Sequence, residues 1–348
     1  MRMVQWLLYG ANGYTGELIA REAVRRGQHP ILAGRSAAKV EALAKELGCE
    51  PRIFALDDPA KIAESLRGAV AVLHCAGPFS RTSAPMVEAC LDGGVHYLDI
   101  TGELEVFEAI MARDAEAKAR GVSLLPGVGF DVVPTDCLAA TLARRLPDAV
   151  ELWLAFYSKG SELSRGTLKT MLEGIGDGGA IRRDGRIVRV PIAWDVREIP
   201  FSIGKRTAMT IPWGDVSTAY YTTGIPNIRV YSAASPKAIA RARRMARFAP
   251  LLALTPVKRL AQKYADRRTG PGEEKRAAGR MYLWGRAANA DGAEVTMTMT
   301  TPEGYAFTVL SALAAVEHVV SSPPKPGSYT PALYFGADFV SNIGGMEN

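Results

Sequence analysis

The chain has 348 residues, enough for two domains with real cores, and its 48% hydrophobic content fits a water-soluble globular protein. A net charge of +6 with no recognition motif argues against nucleic acid, and the four histidines, none at ligand spacing from another His or Cys, argue against a metal. The four cysteines, Cys49, Cys75, Cys90 and Cys137, lack C-x-x-C spacing and read as free thiols of a reducing cytoplasm.

Met1 to Met3 run almost directly into an apolar stretch, so no signal peptide is expected, and no run approaches the ~18 apolar residues of a membrane span. Val4 to Tyr9 predicts a buried strand, because its apolar residues follow no helical period. It enters the loop Gly10-Ala11-Asn12-Gly13-Tyr14-Thr15-Gly16. A helix follows over Glu17 to Arg26, stops at Gly27, and gives way to a second strand, Ile31-Leu32-Ala33. Strand, glycine loop, helix and strand within ~30 residues form a dinucleotide fingerprint. The glycines permit a tight turn and close approach of a pyrophosphate, which the helix N-terminus attracts.

NAD sites carry an acid ~20 residues past the glycines. Here no acid lies between Glu22 and Glu41; Arg35, Ser36 and Lys39 stand there instead. A cation with hydroxyl and N–H donors suits a ribose 2′-phosphate, so the expected cofactor is NADP(H). Ser36 also reads as N-cap of a helix over Ala37 to Leu47.

The alternation continues: a helix from Asp58-Pro59 to Leu66, a strand Val70–Cys75, a helix Thr82–Leu91, a strand Val95–Ile100, a long helix Leu104–Arg120 and a strand Val122–Leu125. The predicted fold class is α/β, a Rossmann doubly wound parallel sheet plus a second α+β domain with an antiparallel sheet. The first domain spans 1–130 and is completed by 305–348; residues 131–304 form the substrate or dimerisation domain. After a helix over Pro134–Leu146, strands are expected at 149–158, 186–194, 208–212, 217–222 and 226–231, with helices at Gly166–Glu173 and within 236–265. A hairpin joins Tyr282–Ala288 to Glu294–Thr300 across Asp291-Gly292. Tyr305–Ser321 is an apolar helix expected to dock on the first domain, and a short helix near 333–342 closes the chain. From Arg241 to Arg268 there are nine Lys/Arg and one acid, which reads as a solvated face or as a contact for a membrane surface or acidic partner.

Ligands bind beyond the carboxyl ends of the strands in such sheets, which makes the exits at Gly10, Arg35, Gly77, Thr101 and Gly127 one rim. Cys75, Ala76, Gly77, Pro78 and Phe79 form a strand-exit turn beside the ribose and nicotinamide. Tyr97 and Asp99 share a face near the hydride acceptor and are candidate proton donors; Thr101 and Glu103 either contact substrate or cap the following helix. Gly129, Phe130 and Asp131 sit at the domain junction as substrate contacts, although Asp131 also suits a helix cap. Arg165 is the candidate for a carboxylate or phosphate. No Ser-His-Asp or Cys-His arrangement supports hydrolysis.

The segments YGANGYTG (9–16), AGRS (33–36), CAGPFS (75–80), VHYLDITGE (95–103) and PGVGFDVVPTD (126–136) together resemble the saccharopine dehydrogenase-like oxidoreductases, in the branch that includes the trans-acting enoyl reductases of mycobacterial lipid synthesis. The resemblance is dense over 4–137, returns at Leu163–Thr167 and is loose beyond. It implies a Rossmann domain, a second domain on an antiparallel sheet, NADP(H) and frequently a homodimer. Within it, hydride transfer to the C=C bond of an apolar, lipid-like small molecule is expected; an amino-acid or imine dehydrogenase and a non-catalytic NADP(H)-binding protein are the alternatives. One departure is His74, where the family carries a small polar residue; it reads as a proton donor or as a buried core histidine.

Overall fold

The computed structural model describes residues 5–160, 164, 166, 168, 178–246 and 269–347. The first half alternates as β1 (Trp6–Tyr9), α1 (Tyr14–Arg25), β2 (Ile31–Gly34), α2 (Ala37–Leu47), β3 (Pro51–Ile53), α3 (Pro59–Ser65), β4 (Ala71–His74), α4 (Phe79–Gly93), β5 (His96–Asp99), α5 (Leu104–Met111), α6 (Asp114–Arg120) and β6 (Ser123–Leu125). The expected long helix over 104–120 is two. They part at Ala112 and Arg113, where the Arg113 guanidinium turns to Glu88 and Glu116.

Six of these strands pair in parallel in the order β6-β5-β4-β1-β2-β3. Strand side chains alternate between faces, so each strand feeds two cores. Leu8, Leu32, Leu73 and Leu98 pack on one face with Ile19 and Ala23 of α1. Leu7, Tyr9, Val72 and Tyr97 pack on the other with Ile62 of α3 and Met86 of α4. Every carboxyl end therefore opens on one edge.

The second half runs α7 (Val133–Arg145), β7 (Ala149–Lys159), β8 (Gly179–Arg183), β9 (Arg186–Val190), β10 (Val196–Phe201), β11 (Gly204–Thr210), α8 (Asp215–Thr223), β12 (Asn227–Ala233), α9 (Pro236–Ala246), α10 (Glu273–Ala278), β13 (Arg280–Asn289) and β14 (Glu294–Pro302). Then come α11 (Gly304–Ser321), β15 (Gly327–Ser328), α12 (Pro331–Phe335), α13 (Phe339–Asn342) and β16 (Met346–Glu347). The second sheet is ordered β10-β11-β12-β7-β13-β14-β16, with the β8–β9 hairpin attached through β12. It is mixed rather than purely antiparallel, because β12 pairs β7 in parallel. Gly285 of β13 lets α7 lie close: a Cβ there would stand 2.6 Å from Leu142 Cδ1.

Residues 217–222 form part of α8, not the expected strand. Thr and Tyr favour strands, but Val216, Ser217, Thr218 and Ala219 are buried here, and packing overrides that preference. Of the basic segment 241–268 only Arg241–Ala246 lie among the described residues, on α9, where Ile239 is buried and Arg243 donates to the Ala193 carbonyl. The helix expected over 166–173 lies largely outside the described residues.

The C-terminal residues return to both sheets. Helix α11 packs on α1 and β4, and β15 extends the parallel sheet next to β6, while β16 pairs β14 in the second sheet. Among the described helices α11 alone is long and apolar enough to cross a membrane, which counting consecutive apolar residues did not anticipate; half of it is buried in this fold. Glu108 of α5 further ties the halves together by accepting from Arg182, Ser217 and Tyr221.

Candidate active site

The glycine loop leaves β1 with Gly10 at φ +81 and starts α1 after Gly13. The Gly10 and Ala11 amides donate to Ala33 O of β2, and the Gly13 amide donates to Gly10 O at 2.9 Å, closing the turn. A Cβ on Gly16 would lie 2.3 Å from Gly10 O, so only glycine lets the helix sit this close. The cradle is one a side chain would fill. A dinucleotide pyrophosphate fits it, with the unpaired N–H groups of the first turn as donors.

At the β2 exit, Arg35 and Lys39 are exposed and Ser36 is half-buried. Ser36 is the N-cap of α2, but its hydroxyl makes no capping hydrogen bond. Arg35 forms no ion pair or hydrogen bond among the described residues, so its guanidinium is open to a phosphate.

A contact that sequence spacing did not reveal lies on Tyr14. Its hydroxyl donates to Pro271 O (2.6 Å) and accepts from Arg276 Nη1 (3.1 Å), and its ring meets Tyr305 edge-on at 5.0 Å. Gly270, at φ +92, presses its backbone on the same ring; a Cβ there would stand 2.8 Å from it. The second half of the chain thus fastens onto the glycine loop.

At the β4 and β5 exits the structure rearranges the expected roles. Tyr97 and Asp99 have 0% accessible surface, and the phenol donates to Asp99 Oδ2 at 2.7 Å. Asp99 Oδ1 accepts from the Thr101 and Gly127 amides, so the pair knits β5 to the β6 exit. Burial pushes this carboxyl up to about 6 and the Tyr97 phenol well above its ordinary value. Both are internal braces, not rim acids, because every proton and lone pair named is spent inside. Thr101 is equally buried and accepts from the Glu103 amide. Glu103 stands at the start of α5 but does not cap it; its carboxylate crosses to α4 and accepts from the Phe79 and Ser80 amides at 2.7 and 2.8 Å. Thr101 and Glu103 are structural.

His74 is a core histidine. It is fully buried among the rings of Tyr9, Phe79 and Tyr97, and desolvation drops it to about 3, so it stays neutral and is no proton donor. Thr82 donates its one hydroxyl proton to Ala76 O or Pro78 O, so His74 Nε2–H is the donor at 3.0 Å and Nδ1 is left as an unpaired acceptor. Cys75 and Ala76 lie against Gly10, Gly77 and Pro78 share a cis peptide, and Phe79 turns inward. Burial raises the Cys75 thiol, which is therefore no nucleophile.

At the β6 exit, the two glycines make room for protein rather than ligand. A Cβ on Gly127 would meet Phe107 at 2.7 Å, and one on Gly129 would meet Thr308 at 3.1 Å. Phe130 is packed between Phe156 and Phe307, so it is core and not a substrate contact. Asp131 differs. Its carbonyl accepts from Trp213 Nε1 at 2.7 Å, yet its carboxylate has no hydrogen-bond partner among the described residues. Part of the residue reaches solvent, and desolvation alone pushes the carboxyl up to about 7. Arg165 lies outside the described residues. A groove of about 470 Å³ opens elsewhere, at the β10 edge, lined by Ile239, Arg243 and Arg244 among others. Among the described residues, no group of His, Cys, Asp and Glu is arranged to hold a metal ion.

The fold joins a parallel, doubly wound sheet to a second, mixed sheet, and the carboxyl edge of the first carries a glycine cradle of the kind that takes a dinucleotide. Residues 6–125 match the family model described as the saccharopine dehydrogenase NADP binding domain. Over that stretch the chain is similar to the saccharopine dehydrogenase-like proteins, and the match supports NADP(H) as its cofactor. The human saccharopine dehydrogenase-like oxidoreductase is 28% identical over 202 residues, 51% of this chain and 47% of that protein. A trans-acting enoyl reductase of Mycobacterium ulcerans is 32% identical over 152 residues, 41% of this chain and 36% of that protein. The chain thus spans about half the length, or less, of the curated relatives it matches. Apo saccharopine dehydrogenase (L-Glu forming) of Saccharomyces cerevisiae shares the fold at a TM-score of 0.66, covering 99% of both chains at 12% identity.

Proposed function

We propose that the protein is an NADPH-dependent reductase that adds hydride to a C=C bond of an apolar, lipid-like substrate. The observation that carries the reading is Arg35, an exposed cation without an ion pair among the described residues, at the β2 exit where an NAD site has an acid, on the same edge as the glycine cradle. NADPH supplies the hydride when bound. The residues of the chain do the rest: Gly10, Gly13 and Gly16 admit the pyrophosphate, Arg35, Ser36 and Lys39 take the 2′-phosphate, and the Cys75–Phe79 turn shapes the floor of the nicotinamide end. The enoyl class draws its support from the trans-acting enoyl reductases among the relatives. A homodimer, and a membrane or acidic-partner contact through 241–268, belong to the same proposal and rest on sequence alone.

The test is NADPH oxidation, followed at 340 nm, against a trans-2-enoyl thioester, a long-chain ketone and a cyclic imine carboxylate. Turnover of the enoyl probe alone is expected. Preference for the imine would replace the substrate class, and tight NADPH binding with no turnover of any probe would make the protein a cofactor-binding module.

A further inference from the structure

The junction between the two halves holds two carboxyls, Asp131 and Asp215, that form no ion pair among the described residues. Asp131, at the β6 exit, rests against the backbone of the β5 exit: a Cβ on Gly102 would stand 2.7 Å from its Oδ2. Its main chain is pinned on both sides, since Trp213 holds its carbonyl and Thr308 Oγ1 accepts from the neighbouring Phe130 amide at 3.0 Å. The other carboxyl, Asp215, begins α8 with 0% accessible surface, and neither oxygen meets hydrogen-bond geometry with a partner among the described residues. Burial is the main cause that raises Asp215 well above the ordinary range; the nearby Thr135 hydroxyl and the residue's own amide pull it back, and the charges of Asp136 and Asp131 raise it further. The neighbouring acids are otherwise occupied. Asp99 and Glu103 accept from amides, and Asp136 accepts from Thr222 and the Ala332 amide.

We infer that Asp131 is the general acid of this site. The inference rests on the reductase reading and adds to it the proton that a hydride alone does not supply. As one atom of the substrate double bond takes the hydride, the electron pair of that bond moves to the other atom, which takes the proton from the Asp131 carboxyl. One O–H bond breaks, one C–H bond forms, and Asp131 remains as carboxylate until water reprotonates it. Asp215 behind it, held neutral by burial, adds no negative charge against that carboxylate. A carboxyl poised near working pH is suited to this exchange, whereas a hydrogen-bonded one such as Glu103 is not.

The experiment uses the full chain labelled with [13Cγ]aspartate, the Asp131 resonance being assigned by its loss in Asp131→Asn. It is expected to titrate at about 7 and to shift when NADPH is added. Titration in the ordinary carboxylate range, or no response to saturating NADPH, overturns the inference. With the probe that turns over, Asp131→Asn is expected to lower kcat by about 10²-fold or more while NADPH Kd changes less than about twofold. The wild-type rate should fall as pH rises through the Asp131 titration, and the Asn variant should not follow that fall. A kcat within about threefold of wild type overturns the inference. Failure of every probe, with the resonance behaving as described, instead counts against the reductase reading.

Discussion

Replacing Arg35 by Ala tests the cofactor site most directly. The side chain is exposed and makes no hydrogen bond or ion pair among the described residues, so its removal is expected to leave the fold unstrained and the loss to fall on the ligand. Two unit charges ~4 Å apart interact by about 1 kcal/mol in bulk water and about 4 kcal/mol at the effective dielectric of a protein surface. Charge-assisted hydrogen bonds are worth about 1.5–3 kcal/mol net. Both ranges place the loss of the 2′-phosphate contact near 1.5–3 kcal/mol, which is roughly 10- to 150-fold in NADPH Kd. NADH lacks that phosphate, and its Kd should change less than about twofold. Calorimetric titration of both nucleotides into wild type and Arg35→Ala reads the difference. The wild-type preference should also shrink between 0.1 and 1 M salt, as screening shortens from about 10 Å to about 3 Å. Equal losses for the two nucleotides would refute the 2′-phosphate assignment.

Tyr97→Phe removes one of the three donors to a fully buried Asp99, and urea unfolding should show about 1–3 kcal/mol of lost stability with NADPH affinity nearly intact; unchanged stability would mean the brace carries no load. Because burial raises Asp99 to about 6, the folded state holds that proton longer than the unfolded chain, and this group's contribution weakens stability as pH climbs from about 4 to 6. His74 works in the opposite direction: lowered to about 3, it takes up a proton only on unfolding, so stability should fall by up to about 1.4 kcal/mol per pH unit below 6.5. His74→Gln should flatten that slope in a Tm-against-pH series, and its ring resonance should not titrate between pH 5 and 8. Gly270→Ala places a Cβ 2.8 Å from the Tyr14 ring at a left-handed φ, and should cost about 1–3 kcal/mol and weaken NADPH binding, whereas wild-type behaviour would show that the contact on the glycine loop is dispensable.

What the sequence determined by itself is what short spacing controls. Glycines at fixed offsets between a strand and a helix make the Gly10–Gly16 cradle, the cation closing β2 carries the proposed 2′-phosphate preference, and apolar runs alternating with helix periods give the parallel sheet. Each can be read from residue types at fixed offsets along the chain, without knowing which distant segments pack together. The tertiary structure alone decided which polar groups are left over. Tyr97 and Asp99 stand two residues apart on one face, as their spacing requires, but only the packing of β6 and the Gly127 amide turns them from candidate acids into a sealed pair. Glu103 could not be assigned until the N-terminus of α4 arrived 24 residues away in sequence. The strand-like 217–222 became a helix because α7 offered it a surface to bury against. Asp131 stood out only when Asp99, Glu103 and Asp136 had found donors and its own carboxylate had none among the described residues, with Trp213 closing over its backbone from 82 residues away. Desolvation and hydrogen-bond partners belong to the three-dimensional neighbourhood of a residue, and they decide whether a carboxyl is a brace or an acid.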